Sequence, residues 1–183
     1  MEDPDQYLVH EAQAGKKEAF GKLVDQYYEM VYAVAFGVVG NREDALDATQ
    51  DVFTKVYQQL RRFEGNSKFK TWLYRVAVNV AIDIYRKRRP TEPVDESLHL
   101  ESKIQSPGEH VRQNELMQLV KQALDELTPE HRAVLVMREW QDMSYEEIAE
   151  ALGIEIGTVM SRIFYARKKI GEVLTLHIAK ADV

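Results

Sequence analysis

The residues with the clearest chemical potential are cations interleaved with aromatic rings between positions 63 and 89. Residues 68–89 hold seven Lys or Arg and a single acid, a local charge of +6 in a chain whose formal net charge is −6. Such a surface favours a phosphate backbone. The accompanying rings are Phe63, Phe69, Trp72, Tyr74 and Tyr85. Because unpaired bases stack on rings beside cations, the stretch predicts a contact with single-stranded nucleic acid. The alternative is that the rings are core and the charges a solvated face.

A second block of cations lies near the C-terminus. Residues 156–171 carry four Lys or Arg and no acid. Before them, Ser144 and Glu147 have the spacing of a capping box, and Ala149, Gly153 and Val159 have the spacing of a helix-turn-helix. In that motif the early residues of the second helix reach base edges and the later cations meet phosphates. This layout predicts binding to duplex DNA, although helix pairs of this shape without a DNA function exist.

Composition argues against several other classes of protein. The sequence has no Cys, and its five His never lie three or four residues apart, so neither a disulfide framework nor a zinc site is expected. There is no Gly-rich phosphate loop and no nucleophile motif, so an enzyme is the least favoured class and no cofactor is expected. The acidic, polar N-terminus does not resemble a signal peptide, and no apolar run reaches the length of a membrane span. These features predict a soluble cytoplasmic protein without direct membrane insertion.

Helical periodicity dominates both halves of the sequence and predicts an all-α fold. Pro is absent from residues 5–89, where apolar residues recur every three or four positions and Gly37 and Gly40 mark the end of one long helix. Asn41 is a candidate N-cap for the next helix. Residues 91–111 lack a sustained period and predict a flexible linker, which could span about 70 Å when extended. We therefore predict two small helical domains, 1–90 and 112–183.

Four ordered segments carry a resemblance to a known family. They are DALDATQDVFTKVY, FKTWLYRVAVNVAIDIYRKRR, LTPEHRAVLVMREW and SYEEIAEALGIEIGTVMSRIFYARKKI, and the similarity extends over about residues 7–174. The sequence resembles the bacterial extracytoplasmic-function, or group IV, RNA polymerase sigma factors. The resemblance implies a transcription initiation factor whose first domain binds core polymerase and melts the minus-ten element. The second domain would read the minus-thirty-five element.

The resemblance also implies site residues, carried over by position. A polymerase-binding face would comprise Asp47, Gln50, Asp51 and Phe53, which would dock on the clamp helices of the β′ subunit. The implied minus-ten DNA-binding residues are Phe63, Asn66, Ser67, Lys68, Phe69, Lys70, Trp72, Arg75, Asn79, Arg86, Lys87 and Arg88. The implied minus-thirty-five residues are Thr158, Met160, Ser161, Arg162, Phe164, Tyr165, Arg167 and Lys168.

Two positions depart from the family pattern, because many relatives have a basic residue where this sequence has Met160 and another where it has Tyr165. The minus-thirty-five sequence therefore cannot be transferred, and Met160 predicts more apolar contact than an Arg that reads guanine would make.

The implied partners are core RNA polymerase, through its β′ clamp helices and β flap, promoter DNA in duplex and single-stranded form, and an anti-sigma factor. No small-molecule substrate is expected. The competing hypothesis is an autonomous helix-turn-helix regulator that binds duplex DNA without polymerase. That hypothesis leaves Trp72 and the aromatic loop without a role.

Overall fold

The structure is a computed structural model that describes residues 4–88 and 122–181, with side chains as far as residue 175. Within these ranges every regular element is helical, as the sequence predicts. None of the helices in these ranges is both long and apolar enough to cross a bilayer. The predicted linker at 91–111 lies outside the described residues.

Four α-helices and one short 3₁₀ turn build the first unit. They are α1 (Gln6–Gln13), α2 (Lys17–Val39), α3 (Arg42–Gln59), the 3₁₀ turn Leu60–Arg62 and α4 (Phe69–Arg88). The N-cap prediction for α3 is confirmed, because the Asn41 side chain accepts a hydrogen bond from the Asp44 backbone N–H at 2.9 Å. Helix α2 runs through Gly37 and ends only at Gly40, whose φ of 83° is left-handed. Gly37 therefore does not terminate the helix, contrary to the sequence prediction.

Among the described residues, the second unit includes the helices α5 (Pro129–Glu139), α6 (Tyr145–Leu152) and α7 (Ile156–Ala181), and residues 122–125 before them are also helical. The capping box that opens α6 is confirmed, with Ser144 and Glu147 each bonding the other's backbone N–H. Gly153 makes the turn at φ 65°, and Val159 is fully buried where α7 crosses α6. The helix-turn-helix predicted from spacing is therefore present.

The two units pack directly against each other. Helix α2 contacts α5 and helix α4 contacts α6, and buried side chains from both units form one continuous apolar cluster. The two units approach closely at Gly37: a Cβ built there would lie 2.3 Å from Val136 Cγ2 and 3.0 Å from Trp140 Cζ3. Only a residue without a side chain fits this crossing. The sequence predicts the two units but not this packing.

Candidate nucleic-acid interface

Three aromatic rings meet where the loop after α3 enters α4. Ring centroids lie 5.0 Å apart for Phe63 and Trp72, 6.1 Å for Phe63 and Phe69, and 5.9 Å for Phe69 and Trp72. Phe69 is 1% exposed and also contacts Tyr27, whereas Phe63 and Trp72 are half-buried. Phe69 thus belongs to the core and supports the other two rings, which keep surface available for a ligand.

The loop between these rings is short and is held at its base. The Gln13 side chain donates to the carbonyls of Leu60 at 2.9 Å and Phe63 at 2.8 Å, which ties α1 to the start of the loop. Gly65 has a left-handed φ of 75°, so the backbone turns sharply after Phe63. The next side chains, from Asn66 to Lys68, are exposed or half-exposed. The fold therefore presents polar side chains and one cation beside the two rings.

Exposed polar residues of α4 extend this surface along the helix, but two of its cations already have partners in the second unit. Arg75 donates from Nε to the Ala151 carbonyl at 2.8 Å and from Nη2 to the Glu150 carbonyl at 2.7 Å. Arg86 pairs with Glu130 at 2.5 Å. The structure thus places these predicted DNA contacts in the boundary between the two units.

The C-terminal end of α4 contacts α3 through ion pairs. Arg88 forms an ion pair with Asp44 and a longer one, 3.4 Å, with Asp47. Lys70, at the opposite end of the helix, lies 5.9 Å from the centre of the Tyr74 ring. Lys87 is exposed.

The predicted polymerase-binding residues form an exposed acidic face on α3. Asp47, Gln50 and Asp51 are exposed, and Phe53 is half-buried with its ring stacked on Tyr28 at 6.4 Å. The opposite side of α3 carries the buried residues Ala45, Ala48, Val52 and Val56, so helical periodicity directs the acids outward.

The outward face of α7 carries an exposed apolar stripe among its cations. Met160 is 52% exposed and Phe164 72% exposed, one turn apart, while Ile163 and Ala166 face inward. Ser161 is exposed and Thr158 half-buried, and the Ser161 hydroxyl donates to the Thr158 carbonyl at 3.0 Å. Arg162 is half-buried. Apolar side chains on a helix of this motif suit the methyl group of thymine.

Further along α7, three predicted DNA contacts have local partners. The Tyr165 ring lies 4.7 Å from the ring of His131 on α5. Burial lowers the pKa of His131, and nearby Arg162 lowers it further, against a smaller opposing effect of Glu130. Arg167 pairs with Glu139 at 2.5 Å and Lys168 lies 3.9 Å from Glu172. Exposed pairs of this kind contribute little to stability and can exchange for phosphate.

Two residues have a role at the boundary that the sequence did not predict. Arg132 of α5 is 1% exposed, and Tyr74 of α4 donates from its hydroxyl to Gln141 Oε1 at 3.1 Å. Burial, with a smaller effect of Glu147, raises the pKa of Tyr74 to about 12. Polar groups within an apolar period usually predict solvent exposure, so only the packing of the two units reveals their role. Within the described residues no cluster of His, Asp or Glu could hold a metal ion.

Comparison with protein families gives matches over both units. Residues 23–91 match sigma-70 region 2, and residues 117–170 match sigma-70 region 4. The sequence is 36% identical to the RNA polymerase sigma-H factor of Pseudomonas aeruginosa, over 94% of this chain and 95% of that protein. It is 38% identical to the ECF RNA polymerase sigma-E factor of Escherichia coli K12, over 91% of this chain and 92% of that protein.

Solved structures of sigma factors have the same fold. CnrH in complex with the cytosolic domain of CnrY matches with a TM-score of 0.71 at 27% identity, over 94% of this chain and 97% of CnrH. The sigma factor RpoE, in complex with the anti-sigma factor NepR from Bartonella quintana, matches with a TM-score of 0.64 at 24% identity, over 85% of this chain and 96% of RpoE. Both solved proteins are captured with a partner. Two family regions and near-complete coverage by relatives lead to one conclusion: the chain belongs to the ECF family of RNA polymerase sigma factors and is not an enzyme.

Proposed function

We propose that this sigma factor directs core RNA polymerase to promoters by using three separate surfaces: the acidic face of α3, the ring pair with the basic face of α4, and the outward face of α7. Residues 1–90 would bind polymerase and open the minus-ten element, residues 91–111 would connect the units, and residues 112–183 would read the minus-thirty-five element. The observation that carries the proposal is the Phe63–Trp72 ring pair, half-buried beside an exposed polar loop. Two available rings next to a cationic helix suit an unpaired base.

The minus-ten element is opened by stacking and phosphate contacts in this proposal. Phe63 and Trp72 hold a flipped-out base, Phe69 supports them from the core, and Asn66, Ser67, Lys68 and Lys70 contact the strand around it. Arg75, Asn79, Arg86, Lys87 and Arg88 continue along the strand. Flipping a base costs a few kcal/mol, which stacking of about 1–3 kcal/mol per base and the phosphate contacts offset.

Polymerase binding is assigned to the acidic face of α3. Asp47, Gln50, Asp51 and Phe53 would dock on the β′ clamp helices, and the second unit would approach the β flap. The support for this is that the acids of α3 point away from the core. An acidic face suits a basic protein partner. The cytoplasm, where polymerase and promoter DNA reside, is the proposed location.

An anti-sigma factor is the proposed regulator. CnrH was solved with CnrY and RpoE with NepR, and the CnrH match extends over both units of this chain. This similarity supports capture of this protein by a partner of the same class. Purification of the tagged protein from its native host tests it: recovery of polymerase alone would count against an anti-sigma partner.

Promoter-dependent transcription in vitro tests the main proposal. Core polymerase is incubated on a promoter library with and without the protein, and transcripts are mapped. We expect starts at defined sites only when the protein is present. If the wild-type protein neither binds core polymerase nor directs initiation, the autonomous regulator becomes the better account.

The variant Trp72→Ala tests the melting role. We expect it to bind polymerase normally and to lose roughly 5- to 150-fold in promoter opening, because one stacking contact contributes about 1–3 kcal/mol. Tyr7→Ala is the matched control, since it removes an exposed ring at the opposite end of α1 from Gln13, the residue that bonds to the loop. Equal opening by both variants would contradict the role of Trp72.

A further inference from the structure

Helix α1 lies before the residues that match sigma-70 region 2, and none of the proposed polymerase or DNA contacts belongs to it. Its last residue, Gln13, nevertheless bonds to the loop that presents the Phe63–Trp72 ring pair. We propose that Gln13 is a positioning residue for base capture, because its side chain fixes the backbone from which the Phe63 ring projects. The inference rests on the proposed role of this ring pair in opening the minus-ten element.

The Gln13 carboxamide holds the start of the loop by two hydrogen bonds to the main chain. Its Nε2 donates to the Leu60 carbonyl at 2.9 Å and to the Phe63 carbonyl at 2.8 Å. A side-chain amide nitrogen carries two hydrogens, so one group can serve both acceptors. The Leu60 carbonyl also accepts a hydrogen bond from the Phe63 N–H at 3.0 Å, which closes the 3₁₀ turn. Gln13 therefore bonds the first residue of the turn and the residue that follows it, where the chain leaves the helix.

The backbone at Phe63 determines where its ring lies. Phe63 leaves the 3₁₀ turn in an extended conformation, with φ −74° and ψ 112°, and the left-handed Gly65 follows two residues later. Residues 61 and 62 before Phe63 and residues 64–66 after it are exposed. A segment with so few buried side chains has little packing of its own to hold it. The two hydrogen bonds from Gln13 therefore restrain the part of the loop that places the Phe63 ring beside Trp72.

A positioning residue must itself be held in place, and α1 is anchored at its other end. Asp5, the N-cap residue of α1, is 2% exposed, and its carboxylate accepts hydrogen bonds from Gln26 Nε2 at 2.8 Å and from the Tyr27 hydroxyl. The Tyr27 ring lies 5.7 Å from the ring of Phe69, which supports the ring pair from the core. Helix α1 is thus fixed to the same core as the ring pair, and Gln13 acts from a rigid element.

Loss of the two hydrogen bonds would let the Phe63 backbone adopt other conformations. The loop would then have to become ordered when the strand binds, and the free energy of binding would include the cost of that ordering. The apparent affinity for the unpaired base falls by the fraction of molecules whose loop is in the competent arrangement. Gln13 would therefore affect promoter opening without contacting DNA or polymerase.

The first test compares promoter opening by polymerase that carries the wild-type protein, Gln13→Met or Gln59→Met. Methionine is similar in length to glutamine but has no N–H donor, so Gln13→Met removes both hydrogen bonds without adding charge. Gln59→Met is the matched control, because Gln59 is exposed and lies directly before the 3₁₀ turn. Opening is measured by the permanganate reactivity of unpaired thymines.

We expect Gln13→Met to lose on the order of tenfold in opening, because two hydrogen bonds of ordinary strength are removed. Gln59→Met should open promoters as the wild type does, and both variants should bind core polymerase normally. Equal opening by Gln13→Met and Gln59→Met would overturn the inference.

A double-mutant cycle distinguishes positioning of the ring pair from a general loss of stability. If Gln13 acts through the ring pair, adding Gln13→Met to Trp72→Ala should cause no further loss of opening, because the base site is already lost. Independent effects would instead add as free energies, so the two losses would multiply. Losses that multiply in the double variant would overturn the inference.

Fluorescence of Trp72 tests the hold on the loop in the absence of DNA. The sequence has two Trp, so Trp140→Phe leaves Trp72 as the single emitting Trp. In this background we expect Gln13→Met to raise the acrylamide quenching constant of Trp72 and Gln59→Met to leave it unchanged. Circular dichroism and urea unfolding check that both variants keep their helices and their stability. Unchanged quenching in folded Gln13→Met would also overturn the inference.

The outcomes separate this inference from the proposed function. If Trp72→Ala loses opening and Gln13→Met does not, the function of the ring pair stands and the role of Gln13 fails. If Trp72→Ala opens promoters as well as the wild type, the proposed function of the ring pair fails, and the role of Gln13 in base capture fails with it.

Discussion

On α4 two of the cations that would follow a promoter strand are engaged by the second unit, whereas on α7 the side chains of Met160 and Phe164 are exposed. Arg75 and Arg86 donate to groups of α6 and α5. Met160 and Phe164 are 52% and 72% exposed. Within the described residues, the two proposed nucleic-acid surfaces therefore differ in how accessible their side chains are. Met160 and Phe164 are accessible without separation of the units, whereas Arg75 and Arg86 would have to leave their partners in the second unit to contact a strand.

The physical cause of this difference is the direction of each surface relative to the shared core. Helix α4 lies between α2, α3 and the second unit, and its outer residues therefore meet α5 and α6. Helix α7 packs on α5 and α6 by one face, which leaves the opposite face to solvent. This geometry predicts an order of binding, with duplex DNA bound first and the single strand second.

The largest effect is expected on the open surface, from Met160→Arg. An Arg at this position can donate two hydrogen bonds to guanine, so we expect a minus-thirty-five preference shifted toward guanine by roughly 5- to 150-fold, equivalent to about 1–3 kcal/mol. Selection of promoters from a randomised minus-thirty-five library by the polymerase–sigma complex measures it. Gly171→Arg is the control, because it adds the same charge further along α7 in open space. An unchanged base preference in Met160→Arg would show that residue 160 does not face the bases.

A smaller effect is expected at the boundary between the units, from Glu130→Gln. Glu130 pairs with Arg86 across the boundary. Burial is the largest single effect on the pKa of Glu130 and raises it. Hydrogen bonds from its own backbone, Thr128 and Arg86, together with the charge of Arg86, act in the opposite direction and lower the pKa overall. Because an exposed ion pair contributes at most about 1 kcal/mol, we expect strand binding up to roughly fivefold tighter.

Glu146→Gln is the control for that change, since Glu146 also lies in the first turn of a capped helix but does not bridge the units. Strand affinities of the two variants are compared by fluorescence anisotropy at low salt. If Glu130→Gln and Glu146→Gln bind the strand equally, the Arg86–Glu130 pair does not hold the units together.

The smallest effect is a pH dependence under the open surface, at His131. Its pKa is lowered by burial and then by Arg162, so the neutral imidazole is favoured in the folded protein beside Tyr165. An unfolded chain binds the proton first as pH falls below the ordinary value of about 6.5, so stability decreases from that pH downward to the lowered pKa. Urea unfolding at pH 7.5 and 5.5 should show a smaller loss for His131→Gln than for the wild type. The same replacement at His10 controls for loss of an imidazole elsewhere, and equal losses in all three proteins would exclude this contribution of His131.

Much of the fold could be predicted from local patterns. The spacing of apolar residues determined which faces of α3 and α4 are buried, and on α4 Leu73 and Val76 lie in the core with exposures of 0% and 7%. The capping box at Ser144 and the left-handed turn at Gly153 were also predictable, because each depends on residues within one helical turn. The family assignment followed from four ordered segments and is confirmed by the matches to regions 2 and 4.

By itself the sequence determined the helices, their buried faces, the helix-turn-helix and the two blocks of cations. Only the tertiary structure decided that Gly37 is a crossing point, that Phe69 is core and that Arg75 donates to the end of α6. The physical reason is the separation along the chain over which each kind of interaction acts. Helical periodicity and caps act between residues a few positions apart, whereas Gly37 and Val136, or Arg75 and Ala151, meet through packing between distant parts of the chain. Which cation is free to bind DNA is a property of that packing.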